Sequence, residues 1–387
     1  MQRDAIGRAG LYLGGFLGPF GGGVLTVLVP NLSDELHVST TVVALAIPAY
    51  LVPFAALQLV SGTIGERLGI VGTVRAAFVA YAVASAAVAA ATTIAPFLLA
   101  RAAQGAANAF TSPLILAVLA ESATDATLGR TMGTFAAVQT AGMVSAPLCG
   151  GLLGAIDPRL AFLVPGLLAL CLAVVPLPVP KRRTTRPPRL RTAFNRRVGW
   201  LALAAAHAFF AILGVALQVS LRATHVFGIG TTLRGVLLAL FGLGGVLVGR
   251  AAGGVVDRTD SSRVAIGGAL GCACVLPLLG LVNSAALVAA LWFLTGAGSA
   301  VLWAGLNTMA VRSTPENRAG AVSVIGAFKF AGAALAPLIW VPIYDARGWV
   351  AFAGAGVASA AIAPAVRRAR WSDDAPPGIR APVTAEA

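Results

Sequence analysis

Twelve long apolar runs divide the chain, at 9–31, 41–64, 70–90, 95–121, 130–155, 160–180, 198–221, 232–256, 263–282, 285–311, 319–344 and 348–366. A helix needs about 20 apolar residues to cross the hydrocarbon of a bilayer, so runs this numerous predict an all-α polytopic membrane protein with twelve transmembrane helices. A membrane β-barrel would show short alternating segments instead. Composition excludes a soluble globule: of 387 residues 58% are hydrophobic and only 11% charged, too little polar surface to cover one.

The net charge of +14 would suit a nucleic-acid binder if the basic residues formed one patch. They do not. With the N-terminus placed inside, twenty of the 28 Lys and Arg fall in the N-terminus, the even-to-odd loops and the C-terminal tail. Four (Arg159, Arg222, Arg234 and Arg347) fall at the outer side, in loops or at a run's outer end, and four (Arg75, Arg101, Arg250 and Lys329) lie deeper within the runs. This asymmetry obeys the positive-inside rule and predicts cytoplasmic termini, in a plasma (inner) membrane. The segment KRRTTRPPRLRTAFNRR at 181–197 has no apolar periodicity and reads as a solvated cytoplasmic linker. It separates residues 1–180 from 198–370, and 371–387 read as a disordered tail. Membrane lipid is the partner this charge pattern predicts; nucleic acid is not.

All four cysteines, Cys149, Cys171, Cys272 and Cys274, lie inside apolar runs, so neither a disulfide framework nor a metal site is predicted. No cofactor is expected. The first run lacks a strongly basic leader and a small-residue cleavage site, and it reads as a retained helix.

The chain is duplicated. The run GTFAAVQTAGMVSAPLCGG, Gly133 to Gly151, carries small residues and a proline where an ordinary span carries leucines. The pattern returns in SVIGAFKFAGAALAPLIWV, in which Gly332 matches Gly142, Ala336-Pro337 matches Ala146-Pro147, and Lys329 stands where Gln139 stands. The offset of 190–191 residues recurs between helices 4 and 10, where Trp292 takes the place of Arg101, and between the loops holding Glu66 and Asp257. Each half is one copy of a six-helix unit. Helices 5 and 11 are expected to form a pair whose proline and glycines shape the interface between the halves, with a neutral Gln139 in the first copy where the second carries Lys329.

Three stretches carry a family resemblance. Gly62-Thr-Ile-Gly-Glu66-Arg67-Leu-Gly69 resembles the loop signature G-x-L-a-D-R-x-G-R of the major facilitator superfamily, with Glu66 for Asp and no basic pair after Gly69. Arg101-Ala-Ala-Gln104-Gly105 resembles its helix-4 signature R-x-x-Q-G, linked in relatives with proton coupling and substrate binding. Gly142, Ala146, Pro147, Gly150 and Gly151 are similar to G-xxx-G-P-xx-G-G, the mark of its antiporter branch of drug and metabolite exporters, with one glycine replaced by alanine. The resemblance covers nearly the whole chain. It implies two six-helix halves about an axis along the membrane normal, with substrate bound between them near the midplane.

The residues then take roles. Gly62, Glu66, Arg67 and Gly69, with their degraded copy Asp257 and Arg258, are expected to form a conformational gate, Gly62 allowing two helices to touch. Tyr50, Asn108, Gln139, His207 and Lys329 fall at similar depth, with Arg101 nearer the outer face; polar groups placed there are expected to face a cavity. Tyr50 should find its hydroxyl partner in that cavity, and Lys329 with His207 is expected to exchange the proton. All fourteen acidic residues lie in loops, tails or at helix ends. A dedicated cation exporter is therefore disfavoured, and proton-coupled export of small neutral or anionic organic compounds by a monomer is expected. The alternatives are an importer or facilitator of a small organic anion, or a non-transporting scaffold. An enzyme is not expected, because there is no HExxH, no paired intramembrane carboxylate and no nucleophile with a base.

Overall fold

The computed structural model describes residues 2–123, 125–178, 195–313 and 318–370. Its first half holds span 1 (Ile6–Gly23 with Leu25–Glu35, bent by 43°), span 2 (Thr40–Leu68), span 3 (Ile70–Ala90), span 4 (Ile94–Leu119), span 5 (Arg130–Gly154) and the apolar helix Leu160–Val174, span 6. The second half holds span 7 (Arg196–His225), span 8 (Thr231–Arg258), span 9 (Ser261–Leu281), span 10 (Ala285–Val311), span 11 (Val324–Ala346) and span 12 (Gly348–Ala369). Ten of these are long and apolar enough to cross a membrane as they stand, and the bent pair makes an eleventh. Span 6 has 15 residues, roughly 22 Å at 1.5 Å per residue, and ends sooner than the run at 160–180 predicts.

Local chemistry sets the boundaries. Ser39, Asn195, Asp260 and Ser284 each accept a hydrogen bond from a backbone N–H in the first turn that follows, which satisfies a donor the helix cannot. Asn195 thereby draws Arg196 and Arg197 into span 7, although composition alone assigns both to the linker. The rest of that linker and the tail at 371–387 lie outside the described residues. Gly69 joins spans 2 and 3 at φ +94°, a conformation that side chains with a Cβ rarely adopt.

The duplication predicted from sequence reappears contact by contact. A Cβ on Gly142 would lie 2.5 Å from the Phe16 carbonyl oxygen of span 1, and one on Gly332 would lie 2.0 Å from the Ala206 oxygen of span 7. Gly23 abuts the Cβ of Ala146 as Gly214 abuts that of Ala336. Gly105 presses on the Tyr50 carbonyl and Gly296 on the Phe241 carbonyl. Each pair of contacts is offset by 190 or 191 residues. The bend of span 1 at Val24 likewise matches the break of span 7, which passes through a 3₁₀ turn at Leu213–Val215. Gln218, buried beside that break, donates from its amide to the Gly214 and Val215 carbonyls at 2.9 and 3.2 Å, covering acceptors that an interrupted helix exposes.

The boundary between the halves differs from expectation. Spans 5 and 11 do not form a pair across it. Span 5 crosses to span 8, where a Cβ on Gly235 would meet the Pro147 oxygen at 2.3 Å and one on Gly151 the Thr231 oxygen at 2.8 Å. Span 11 crosses to span 2, with Phe54 and Phe330 edge to face at 4.8 Å. The small residues of the antiporter-like stretch therefore serve two neighbours: Gly142, Ala146 and Gly150 face span 1, and Pro147 with Gly151 face span 8.

Glycines with and without neighbours should respond oppositely to a methyl group. Gly332→Ala is expected to destabilise by about 1–3 kcal/mol through overpacking. Gly326→Ala, in the same helix with nothing within 4 Å of the added carbon, should stabilise by up to about 1 kcal/mol. Melting curves of the purified variants in one detergent check the signs.

Candidate functional site

At mid-depth the structure gathers the expected polar residues into two clusters, one per half. In the first half Asn108 donates from Nδ2 to the Tyr50 hydroxyl at 2.8 Å and accepts at Oδ1 from Thr111 at 2.8 Å. Arg101, 1% exposed, donates to Gln104 Oε1 at 2.5 Å, and Gln104 donates to Ser85 at 2.7 Å. The Arg101 guanidinium lies over the Tyr50 ring at 4.5 Å and near the Phe162 ring at 5.8 Å. Tyr50 is thus satisfied by Asn108 inside its own half and not by a cavity, and Arg101 sits at the level of Tyr50. Gly18 and Gly22 of span 1 close over Asn108 and Tyr50.

The corresponding place in the second half is apolar. Trp292 stands 191 residues after Arg101 and Phe241 stands 191 after Tyr50, and their rings meet at 4.8 Å. The charge of the second half lies on span 11 instead. Lys329 Nζ is 4.8 Å from the ring centre of Phe330, 5.2 Å from that of Phe209 and 5.8 Å from that of Trp303. Phe209 meets both Trp303 and Phe330 edge to face. Ring faces attract a cation, so this cage holds the ammonium without a carboxylate.

The remaining expected groups join neither cluster. His207 Nδ1 contacts the Leu203 carbonyl of its own helix at 3.0 Å, one residue from the place where Gly332 presses on Ala206. Gln139 is half-buried on span 5. Phe328, which flanks Lys329 in sequence, is 46% exposed and is not among the rings beneath the ammonium. Phe54, Phe209, Ser85 and Thr111 belong to the clusters, yet sequence gives them no mark, because each is an ordinary residue until helices from elsewhere bring it in.

A third group closes one end. Arg234, buried on span 8, donates from Nε to the Val27 carbonyl at 2.9 Å, from Nη1 to Thr224 at 2.5 Å and from Nη2 to Asn31. Asn31 also donates to Thr231 at 2.9 Å, and Thr41 donates to Asp345 at 2.8 Å. These bonds tie spans 1 and 2 to spans 8 and 11. Arg222, by contrast, donates within its half to the Val282 carbonyl, and Arg159 pairs with Glu35 at 2.5 Å. Arginines that composition places in loops are therefore staples at helix ends.

At the opposite end the gate residues Glu66, Arg67, Gly69, Asp257 and Arg258 are exposed. Gly62 does not bring two helices together: its Cβ position is open, as are those of Gly133, Gly253, Gly254 and Gly326. The close approach is at Gly65, against Leu114. In the second half the ion pair is made by Asp260 with Arg370 at 2.5 Å. Glu121, just beyond the apolar part of span 4, is held above the usual carboxylate range by burial and by the charge of Glu66.

Two matching helical halves, tied at one end and carrying buried charge at mid-depth, define a membrane transporter rather than an enzyme. The chain belongs to the Major Facilitator Superfamily, whose sequence profile matches residues 11–283 and again 199–386. No curated protein sequence matches it significantly. Among solved structures, the fold is similar to a bacterial homologue of the human lysosomal transporter Spinster, inward-facing and unoccupied (TM-score 0.72, 18% identity, covering 96% of this chain and 98% of that one). It is also similar to a D-xylose-proton symporter (0.73, 16%, 92% and 96%). A third similar structure is the human organic anion transporter MFSD10 (TETRAN) (0.69, 16%, 94% and 99%).

Removing the Arg234 tie should loosen the closed end. Spin labels at His37 and Val226, in a cysteine-free background, are expected to show a longer and broader distance distribution in Arg234→Gln than in the parent. Electron–electron resonance reads the change. At the other end, Glu121→Gln should raise the melting temperature at neutral pH, because folding then no longer opposes ionisation at this site. The gain should vanish as pH falls below about 4.5, where the unfolded carboxyl is protonated as well.

Proposed function

We propose that the protein is a secondary active transporter that exports small organic compounds in exchange for protons. It takes neutral or anionic compounds in preference to cations. The observation that carries this reading is the sign of the buried charge: Arg101 and Lys329 stand at mid-depth, while the described acidic residues stand at helix ends and in loops. A cation entering between the halves would meet repulsion, and an anion attraction. The helix-5 pattern Gly142, Ala146, Pro147, Gly150 and Gly151 supports export.

Movement would follow from rocking of the two halves about the mid-depth clusters. The Arg234 tie opens while the Glu66 and Asp257 loops close, and the glycines at 62, 253 and 254, with nothing within 4 Å of their Cβ positions, allow close approach there. With the Glu66 end cytoplasmic, as the distribution of basic residues supports, the end closed by Arg234 is the outer one. Lys329 and His207 are the proposed proton carriers. They stand on two helices in direct backbone contact at Gly332 and Ala206, so a change at one is felt by the other. The working unit is a monomer in the plasma (inner) membrane with both termini cytoplasmic, and no cofactor takes part.

A second reading, import or facilitated entry of a small organic anion, is favoured by the same pair of positive charges and differs in direction and, for facilitated entry, in needing no pH gradient. Inside-out vesicles separate the two, since opposite signs of pH gradient would drive accumulation. In reconstituted vesicles Lys329→Ala is expected to lower pH-driven transport at least about tenfold. Transport at the parent rate would remove Lys329 from the proton route.

A further inference from the structure

We infer that the cage around Lys329 binds organic monoanions that carry an aromatic ring, an inference that rests on the transport reading and specifies its substrate class. The Lys329 ammonium makes no hydrogen bond or ion pair among the described residues, so its three N–H donors are unspent. Its charge is held by rings alone, Phe209 of span 7, Trp303 of span 10 and Phe330 of span 11. On span 11 itself the described acid is Asp345, sixteen residues further on and roughly 24 Å away at 1.5 Å per residue. Asp345 is already engaged by Thr41. The described residues leave this charge without a counter-ion, and a ligand carboxylate accepting from an ammonium forms one of the stronger hydrogen bonds available.

The walls specify the rest of the ligand. Phe209, Trp303 and Phe330 are each half-buried, so part of each ring stays accessible. Phe54 brings a ring from the other half against Phe330 at 4.8 Å, and Tyr50 stacks on Phe54 at 6.2 Å. A ligand ring lying here meets partners edge-on or offset, the arrangements aromatic pairs prefer, and touches both halves at once. A flexible aliphatic acid keeps the ion pair and loses those contacts. An aromatic amine keeps the contacts and meets a like charge.

The test is isothermal titration of the purified protein in lipid nanodiscs with 1-naphthoate, 1-naphthamide, acetate and 1-naphthylmethylamine. Naphthoate should bind at least about tenfold more tightly than each of the others. Lys329→Gln should erase the preference of naphthoate over naphthamide and Lys329→Arg should keep it, while Trp303→Leu should weaken naphthoate about tenfold and leave acetate unchanged. Equal binding of naphthoate and naphthamide by the parent protein overturns the inference, as does acetate matching naphthoate, or a preference that survives in a monodisperse Lys329→Gln. If that variant does not fold, the ligand series on the parent and on Trp303→Leu decides. Transport is scored separately. Naphthoate binding without pH-driven movement refutes the proton-coupled reading and leaves the site standing. PH-driven movement of another solute without naphthoate binding refutes the site and leaves the transport reading standing.

Discussion

The structure depends on backbone meeting backbone. In lipid there is no hydrophobic force between helices, since the tails are as apolar as leucine, and association rests on close van der Waals packing. Gly332 against the Ala206 carbonyl, Gly142 against Phe16, and Gly105 against Tyr50 are sites where a single added carbon would separate two helices. They lock each half internally, on spans 1, 5 and 7, 11 alike. These three lie within a half, and the boundary uses the same device, with Gly235 against the Pro147 carbonyl and Gly151 against the Thr231 carbonyl.

Within that frame the two copies have diverged in charge. The first copy spends its cation internally, Arg101 being enclosed by Gln104, Tyr50 and Phe162. The second copy replaces it with Trp292 on Phe241 and keeps its own cation, Lys329, among half-buried rings near the boundary. A buried charge without a partner is costly, and the two halves answer that cost differently: with hydrogen bonds in the first, with ring faces in the second. The first arrangement stiffens a half. The second leaves donors available to a ligand.

Most of the fold was legible in the sequence, because apolar runs and the 190-residue repeat are properties of the chain alone. Residues whose meaning depends on a distant partner were not. Arg234 lies three residues inside its helix and reads as a loop charge, yet its acceptors are Val27 and Asn31, about two hundred positions earlier. Tyr50 and Asn108 were visible as polar residues at matching depth, but depth does not tell a cavity wall from a satisfied internal pair. The pairing of spans 5 with 8 and 2 with 11 was likewise hidden, since small residues mark a close contact without naming the helix that makes it. The cage around Lys329 was hidden too: Phe330 is its neighbour in sequence, but Phe209, Trp303 and Phe54 come from other helices.

The Arg234 tie has one further consequence. Its acceptors are a backbone carbonyl, an amide and hydroxyl groups, none of which titrates near neutrality, and an arginine keeps its charge at every physiological pH. This clasp is therefore blind to acidity. A proton gradient has no direct grip on it; among the bonds that tie this end, the one group that titrates is Asp345, the acceptor for Thr41.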